Sequence, residues 1–219
     1  GRYDDQTWTR GSQTVLRALE SVGLKFQVEG LQHLAEPDGP CVIAGNHVRA
    51  LETMVLPGFI EPVRHHTYVV KQPLLDYPFF KYVMRSRDPV AVSQYDPRED
   101  LKAMLEGGVE RLQKGVSLVV FPQSKRNAQF DPSLFNSIAV KIARRANVPI
   151  VPMALETSAW ALGKIALDVG WINPSQKVHL AFGPPITIAG RGAEAQETLL
   201  QFVLSKLREW NSPGLEACK

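Results

Sequence analysis

The stretch "AGNHVRALETMVLP", residues 44–57, decides how the chain is read. It continues the apolar run "CVIAG" (41–45), which the turn cluster "AEPDGP" (35–40) precedes. A short apolar run bounded in this way predicts a buried strand ending near Asn46. The apolar residues from Leu51 to Leu56 predict a helix, stopped by Pro57-Gly58. His47 and Glu52 then fall at a strand-to-helix junction, where open α/β sheets place their sites.

The same alternation extends in both directions. The polar residues 1–11 read as a loose segment, and 12–24 as an N-terminal helix with Val15, Leu16, Leu19 and Val22 at helical spacing. "LKFQVEG" (24–30) alternates like an edge strand. Further strands are expected at "TYVVK" (67–71), "PVAVS" (89–93), "VSLVVFP" (116–122), "VPIVPMALE" (148–156) and "KVHLAFG" (177–183). Helices are expected near 77–84, 97–113, 133–146 and 193–210. Strand and helix in turn predict an α/β fold: a single domain, 1–219, with a central mixed, largely parallel sheet flanked by helices.

Composition sets bounds on function. With 219 residues and 44% apolar content, the chain reads as one ordinary globular domain. A net charge of +3 is a mild bias toward acidic partners and far from a nucleic-acid signature. Cys41 and Cys218 do not make a disulfide framework. No run reaches the ~18 apolar residues of a membrane span, and no signal peptide is visible.

A histidine followed five residues later by an acid occurs twice, at His33/Asp38 and His47/Glu52. Asp38 lies in a Pro/Gly turn that fixes no geometry. Helical neighbours are three or four residues apart, so His47 must sit just before the helix if it is to meet Glu52. A carboxylate on one ring nitrogen would set the tautomer and leave the other nitrogen to take a proton. His65-His66 suggest no metal, because adjacent strand residues face opposite ways. His179 reads as structural. Trp160, Leu162, Ile165 and Trp171 are candidates for an acyl-chain entrance or a bilayer interface.

Three motifs in order carry a resemblance to the glycerolipid acyltransferase superfamily, the lysophospholipid (1-acylglycerol-3-phosphate) acyltransferases. Asn46, His47 and Glu52 resemble its Asn-His-x4-Asp motif, with Glu for Asp. Phe121, Pro122 and Arg126 resemble Phe-Pro-Glu-Gly-Thr-Arg, with Gln123, Ser124 and Lys125 between them. Val148 to Pro152 match its Val-Pro-Ile-Val-Pro strand. The family's arginine after the "PVAVS" strand has Gln94 in its place, so its role is either lost or moved to Arg85, Arg87 or Arg98. Lys71 resembles a lysine that often precedes a Leu and a Pro. The resemblance spans about residues 40 to 185.

The resemblance implies acyl transfer from acyl-CoA or acyl-carrier protein, as co-substrate, to the hydroxyl of a lysophospholipid. His47 would be the base and Glu52 its orienting acid. Asn46, Lys71, Gln123, Ser124, Lys125 and Arg126 would bind substrate, Arg126 gripping a phosphate. No cofactor and no metal are implied. A membrane surface is an expected partner and nucleic acid is not; the expected location is cytoplasmic, peripheral to the inner face of the membrane. Another lipid acceptor, a catalytically weak lipid-binding homologue, and a serine esterase using Ser124 are the alternatives. The esterase lacks the glycines of a Gly-x-Ser-x-Gly elbow.

Overall fold

Seven strands make one sheet in the computed structural model, which describes residues 4–76, 80–93, 95–123, 126–127, 129–161 and 170–215. They are β1 (Lys25–Glu29), β2 (Val42–Gly45), β3 (His66–Lys71), β4 (Val90–Val92), β5 (Ser117–Val120), β6 (Ile150–Glu156) and β7 (Lys177–Phe182). Their spatial order is β1-β7-β6-β2-β5-β3-β4. Every pair is parallel except β6–β7, so the sheet is mixed and largely parallel, as expected.

Helices cover both faces. They are α1 (Asp5–Ser21), α2 (Leu51–Ile60), α3 (Phe80–Ser86), α4 (Pro97–Gln113), α5 (Ile138–Ala146) and α6 (Ala193–Glu209). The period-2 pleat splits each central strand between two cores. Ile43, Val119, Val151 and Met153 pack with Leu19, Val55 and Leu56 of α1 and α2. Val42, Ala44, Leu118 and Ile150 pack with Leu112, Ile142 and Leu199 of α4, α5 and α6. β2, with neighbours on both sides, is buried along its whole length. At its end Gly45 lies so close to β6 that a Cβ there would stand 2.2 Å from the Met153 carbonyl oxygen.

Three element bounds differ from those expected. α1 starts at Asp5, within the stretch read as loose, because Asp4 caps it by accepting the Thr7 N–H at 2.8 Å, and Trp8 is buried against the His66 ring at 4.7 Å. In place of a helix from residue 133 there is a 3-10 turn at Pro132–Leu134, and α5 begins only at Ile138, whose N–H is taken by the Asn136 side chain at 2.9 Å.

α2 continues through Pro57 to Ile60 rather than stopping there. A proline inside a helix lacks one N–H and displaces a carbonyl a turn earlier. Ser12 of α1 fills this break. Its Oγ accepts the Gly58 N–H at 2.8 Å and lies 2.7 Å from Met54 O and 3.0 Å from Val55 O, which share its proton. The missing side chain of Gly58 makes room, since a Cβ would stand 2.9 Å from that oxygen.

Candidate active site

The central strands β2, β5 and β6 all end at one edge of the sheet, and the chain leaving β2 there carries Asn46 and His47. Asn46 is buried. Its amide donates to Leu155 O at 2.7 Å and accepts the Leu155 N–H at 2.9 Å, copying a backbone pair beyond the end of the strand. Both ends of the amide bond β6, which gives Asn46 a framework role at the end of β2.

His47 and Glu52 meet. The Nδ1 of His47 makes a short hydrogen bond with Glu52 Oε2 across the junction before α2. Glu52 is fully buried, and its other oxygen, Oε1, accepts three hydrogen bonds: from Val48 N–H at 2.8 Å, Arg49 N–H at 2.9 Å and Thr157 Oγ1 at 2.7 Å. A buried carboxylate is costly unless its lone pairs are filled, and these donors fill them. It also lies in the first turn of α2, where the helix dipole favours an anion.

The imidazole is held from the side as well. Phe121 stacks on it at 4.1 Å with 12° between the planes. No described residue hydrogen-bonds its Nε2, and the side chain keeps 17% exposure, so this nitrogen faces the open edge. The backbone of His47 is pinned by the loop after β5: its N–H donates to Gln123 Oε1 at 3.0 Å, and its carbonyl accepts the Asn127 N–H at 3.0 Å. That bond fixes the Gln123 amide, leaving its buried Nε2 with no partner among the described residues. The Asn136 side chain in turn holds the loop by donating to Pro122 O.

The other expected residues divide. Arg126 is exposed on the same loop, one residue before Asn127. Lys71 ends β3, exposed on the same edge, and no described contact joins it to the His47–Glu52 pair. Ser124, Lys125 and Gln94 lie outside the described residues, as do Leu162 and Ile165. Arg87 cannot stand in at the site, because it pairs with Asp5 and lies over the Trp8 ring at 5.2 Å. Arg85 is bound to Asp76 at 2.6 Å and to Leu75 O at 2.9 Å. His33 bonds Glu36 at 2.6 Å rather than Asp38. His179 stacks on Trp210 at 5.0 Å, a packing role.

Thr157, Phe121's stacking and Asn136 were not legible as site-building from sequence. Thr157 follows "VPIVPMALE" directly, but only the β2–β6 register brings it to Glu52.

A buried acid–imidazole pair on the C-terminal edge of a parallel sheet suits proton transfer to or from a bound hydroxyl. A family model described as Acyltransferase matches residues 25–156, and the chain belongs to that family. Within it, its kin are glycerolipid acyltransferases. A 1-acyl-sn-glycerol-3-phosphate acyltransferase of Pseudomonas aeruginosa is 29% identical over 200 residues, covering 91% of this chain and 73% of the relative. The chloroplastic 1-acyl-sn-glycerol-3-phosphate acyltransferase BAT2 of Brassica napus is 28% identical, covering 60% of this chain and 37% of the relative. The chain thus spans little more than a third of that plastid relative. The crystal structure of the 1-acyl-sn-glycerophosphate (LPA) acyltransferase PlsC from Thermotoga maritima shares the fold, with a TM-score of 0.74, 19% identity, and coverage of 96% of this chain and 80% of that one.

Proposed function

We propose that this acyltransferase moves a fatty acyl group from an acyl thioester, acyl-CoA or acyl-carrier protein, to the free hydroxyl of a lysophospholipid such as 1-acyl-sn-glycerol-3-phosphate. The observation that carries the reading is the saturated, buried Glu52 behind His47. With Nδ1–H directed at Glu52, Nε2 is the acceptor nitrogen. It takes the hydroxyl proton as the oxygen attacks the thioester carbonyl carbon. The tetrahedral intermediate collapses by breaking the C–S bond. The imidazolium returns its proton to the departing sulfur, giving the ester and the free thiol. Glu52 stabilises the imidazolium in between.

Lys71, Gln123, Ser124, Lys125 and Arg126 are the proposed substrate contacts, with Arg126 on the acceptor phosphate, which a guanidinium can grip with paired donors. The relatives' names support the acceptor class. No helix among the described residues is long and apolar enough to cross a membrane. We place the working enzyme at a membrane surface, since its acceptor is a membrane lipid and Trp171 is 85% exposed. Mass spectrometry of products from purified protein, acyl-CoA or acyl-carrier protein, and a panel of lysolipids tests the reading. Formation of the diacyl product supports it. Thioester hydrolysis without transfer to any lysolipid sinks it.

A further inference from the structure

The registered strand pairs stop short of Thr157, the residue whose hydroxyl donates to Glu52. β6 ends at Glu156. Its last registered pair with β2 is Gly45–Met153, and with β7 it is Glu156–His179. The Asn46 amide carries the β2 side only as far as Leu155. The hydroxyl that fills Glu52 Oε1 therefore sits just past the ladder, where strand ends open most readily.

The residue before Thr157 supplies the hold. Side chains alternate along a strand. Leu155 belongs to the core under α1 and α2, and Thr157 turns the same way, to Glu52. Glu156 turns to the other face, where it is buried. Its Oε1 accepts the Ser158 N–H at 3.0 Å, and its Oε2 is bonded by the Ser212 hydroxyl. One carboxyl group thus brackets Thr157 and ties it to the chain that follows α6. Ser212 is buried and fixed in its turn. Asn211, at φ 48°, takes the left-handed conformation that commonly ends a helix. Its N–H donates to Arg208 O at 3.0 Å, and the Ser212 N–H donates to Leu207 O at 2.9 Å, which doubles the chain back onto the end of β6. Trp210 adds a stack on His179, the residue paired with Glu156 across β7.

We propose that Glu156 and Ser212 are positioning residues for acyl transfer: the turn after α6, through the Glu156 carboxyl group, sets the place of the Thr157 hydroxyl and so of Glu52 and His47. Neither residue touches substrate. Without the Ser212 hydroxyl, Glu156 Oε2 loses that donor in a buried place, which is costly. The side chain regains partners by swinging toward water, and this releases the Ser158 N–H and the turn that carries Thr157. A small displacement is then enough to weaken the Thr157–Glu52 bond, because hydrogen bonds fall off steeply with distance and angle. The effect on turnover rests on the function proposed above; the effect on the His47 ring does not.

The test compares Ser212→Ala, Glu156→Gln, Thr157→Val and the double variant Thr157→Val/Ser212→Ala in the full chain. Ser212→Ala should lower kcat by about 3- to 10-fold, with the KM values for donor and acceptor little changed. Glu156→Ala cuts the same bond from its other end, should repeat the loss, and serves where Ser212→Ala folds poorly. Glu156→Gln should keep most of the turnover, because its amide still accepts from the Ser158 N–H and donates to the Ser212 oxygen. The double variant should turn over within about twofold of Thr157→Val alone, since Ser212 acts through a hydroxyl that is already gone. Losses that multiply in the double variant, or a lowered Tm with kcat intact in Ser212→Ala, would overturn the proposal. NMR of the His47 ring in the substrate-free protein needs no acceptor. There Ser212→Ala should move the ring signals in the same direction as Thr157→Val, and signals that stay at their parent positions would also overturn it. Ring signals that respond in this way in a protein that transfers no acyl group would sink the function proposed above and support the positioning.

Discussion

Thr157, just past the end of β6, donates its hydroxyl to Glu52 Oε1 at 2.7 Å from 105 residues further along the chain. The carboxylate behind His47 is therefore set by β6 as well as by its own loop. Thr157→Val removes that donor and keeps the shape. A hydrogen bond to a charged group is worth about 1.5–3 kcal/mol, so kcat should fall by roughly 10-fold or more with KM little changed. Thr157→Ser should restore most of it. A fall in Tm with kcat intact would make Thr157 structural only.

Glu52→Gln tests what the charge does. Val48, Arg49 and Thr157 all donate to Oε1, so the amide must turn its oxygen toward them and its NH₂ toward His47. The imidazole would then carry its proton on Nε2 and could not accept one from the substrate. Turnover should drop by about 10²- to 10⁴-fold in a folded protein. Glu52→Asp, one methylene shorter, should lose less than the amide does. Equal losses in the two would argue against the tautomer explanation.

The two histidine–acid spacings separate in the structure, and kinetics should separate them too. His47→Ala is expected to cost about two to four orders of magnitude in kcat. His33, which bonds the exposed Glu36, should be replaceable by Ala with turnover near that of the parent. Comparable losses from both would move the base elsewhere.

Arg126 is exposed on the loop that is stitched to the His47 backbone through Gln123 and Asn127. If it binds the acceptor phosphate, Arg126→Ala should raise the acceptor KM roughly 10- to 150-fold and leave the donor KM alone. Lysine should rescue in part, keeping charge without the paired donors. An acceptor KM that does not move in a folded variant removes the assignment and leaves His47 untouched.

Ser12→Ala should expose the break in α2. The Gly58 N–H and the carbonyls of Met54 and Val55 would lose their partner in a largely buried place. Unsatisfied buried groups cost about 1–3 kcal/mol, or about 2–10 °C in Tm for a domain of this size. Calorimetry decides. No change in Tm would mean that water replaces the hydroxyl.

These residues also mark what could be read in advance. Strand periodicity located β2, β5 and β6, and the junction logic singled out His47 and Glu52, because both signals are local. Pro57 misled, since the group that rescues its helix is Ser12 of α1, 46 positions before the Gly58 that it bonds. Thr157 escaped, as did the bonding of Asn46 to Leu155, for a related reason: both contacts are defined by the pairing of β2 with β6, which no window of sequence contains. Asp5 was read as loose because its partners Arg87 and His65 lie far along the chain.

The placement of β2 has a consequence for how long the site lasts. Its amides are locked between two parallel neighbours and beneath helices on both faces, so no edge can fray to release them. Amide protons in such a strand exchange with solvent through opening of the whole domain, not through local excursions. The Asn46 amide extends that interlock to the residue beside His47. The proposed base and its carboxylate are thereby anchored beside the most deeply enclosed strand of the sheet.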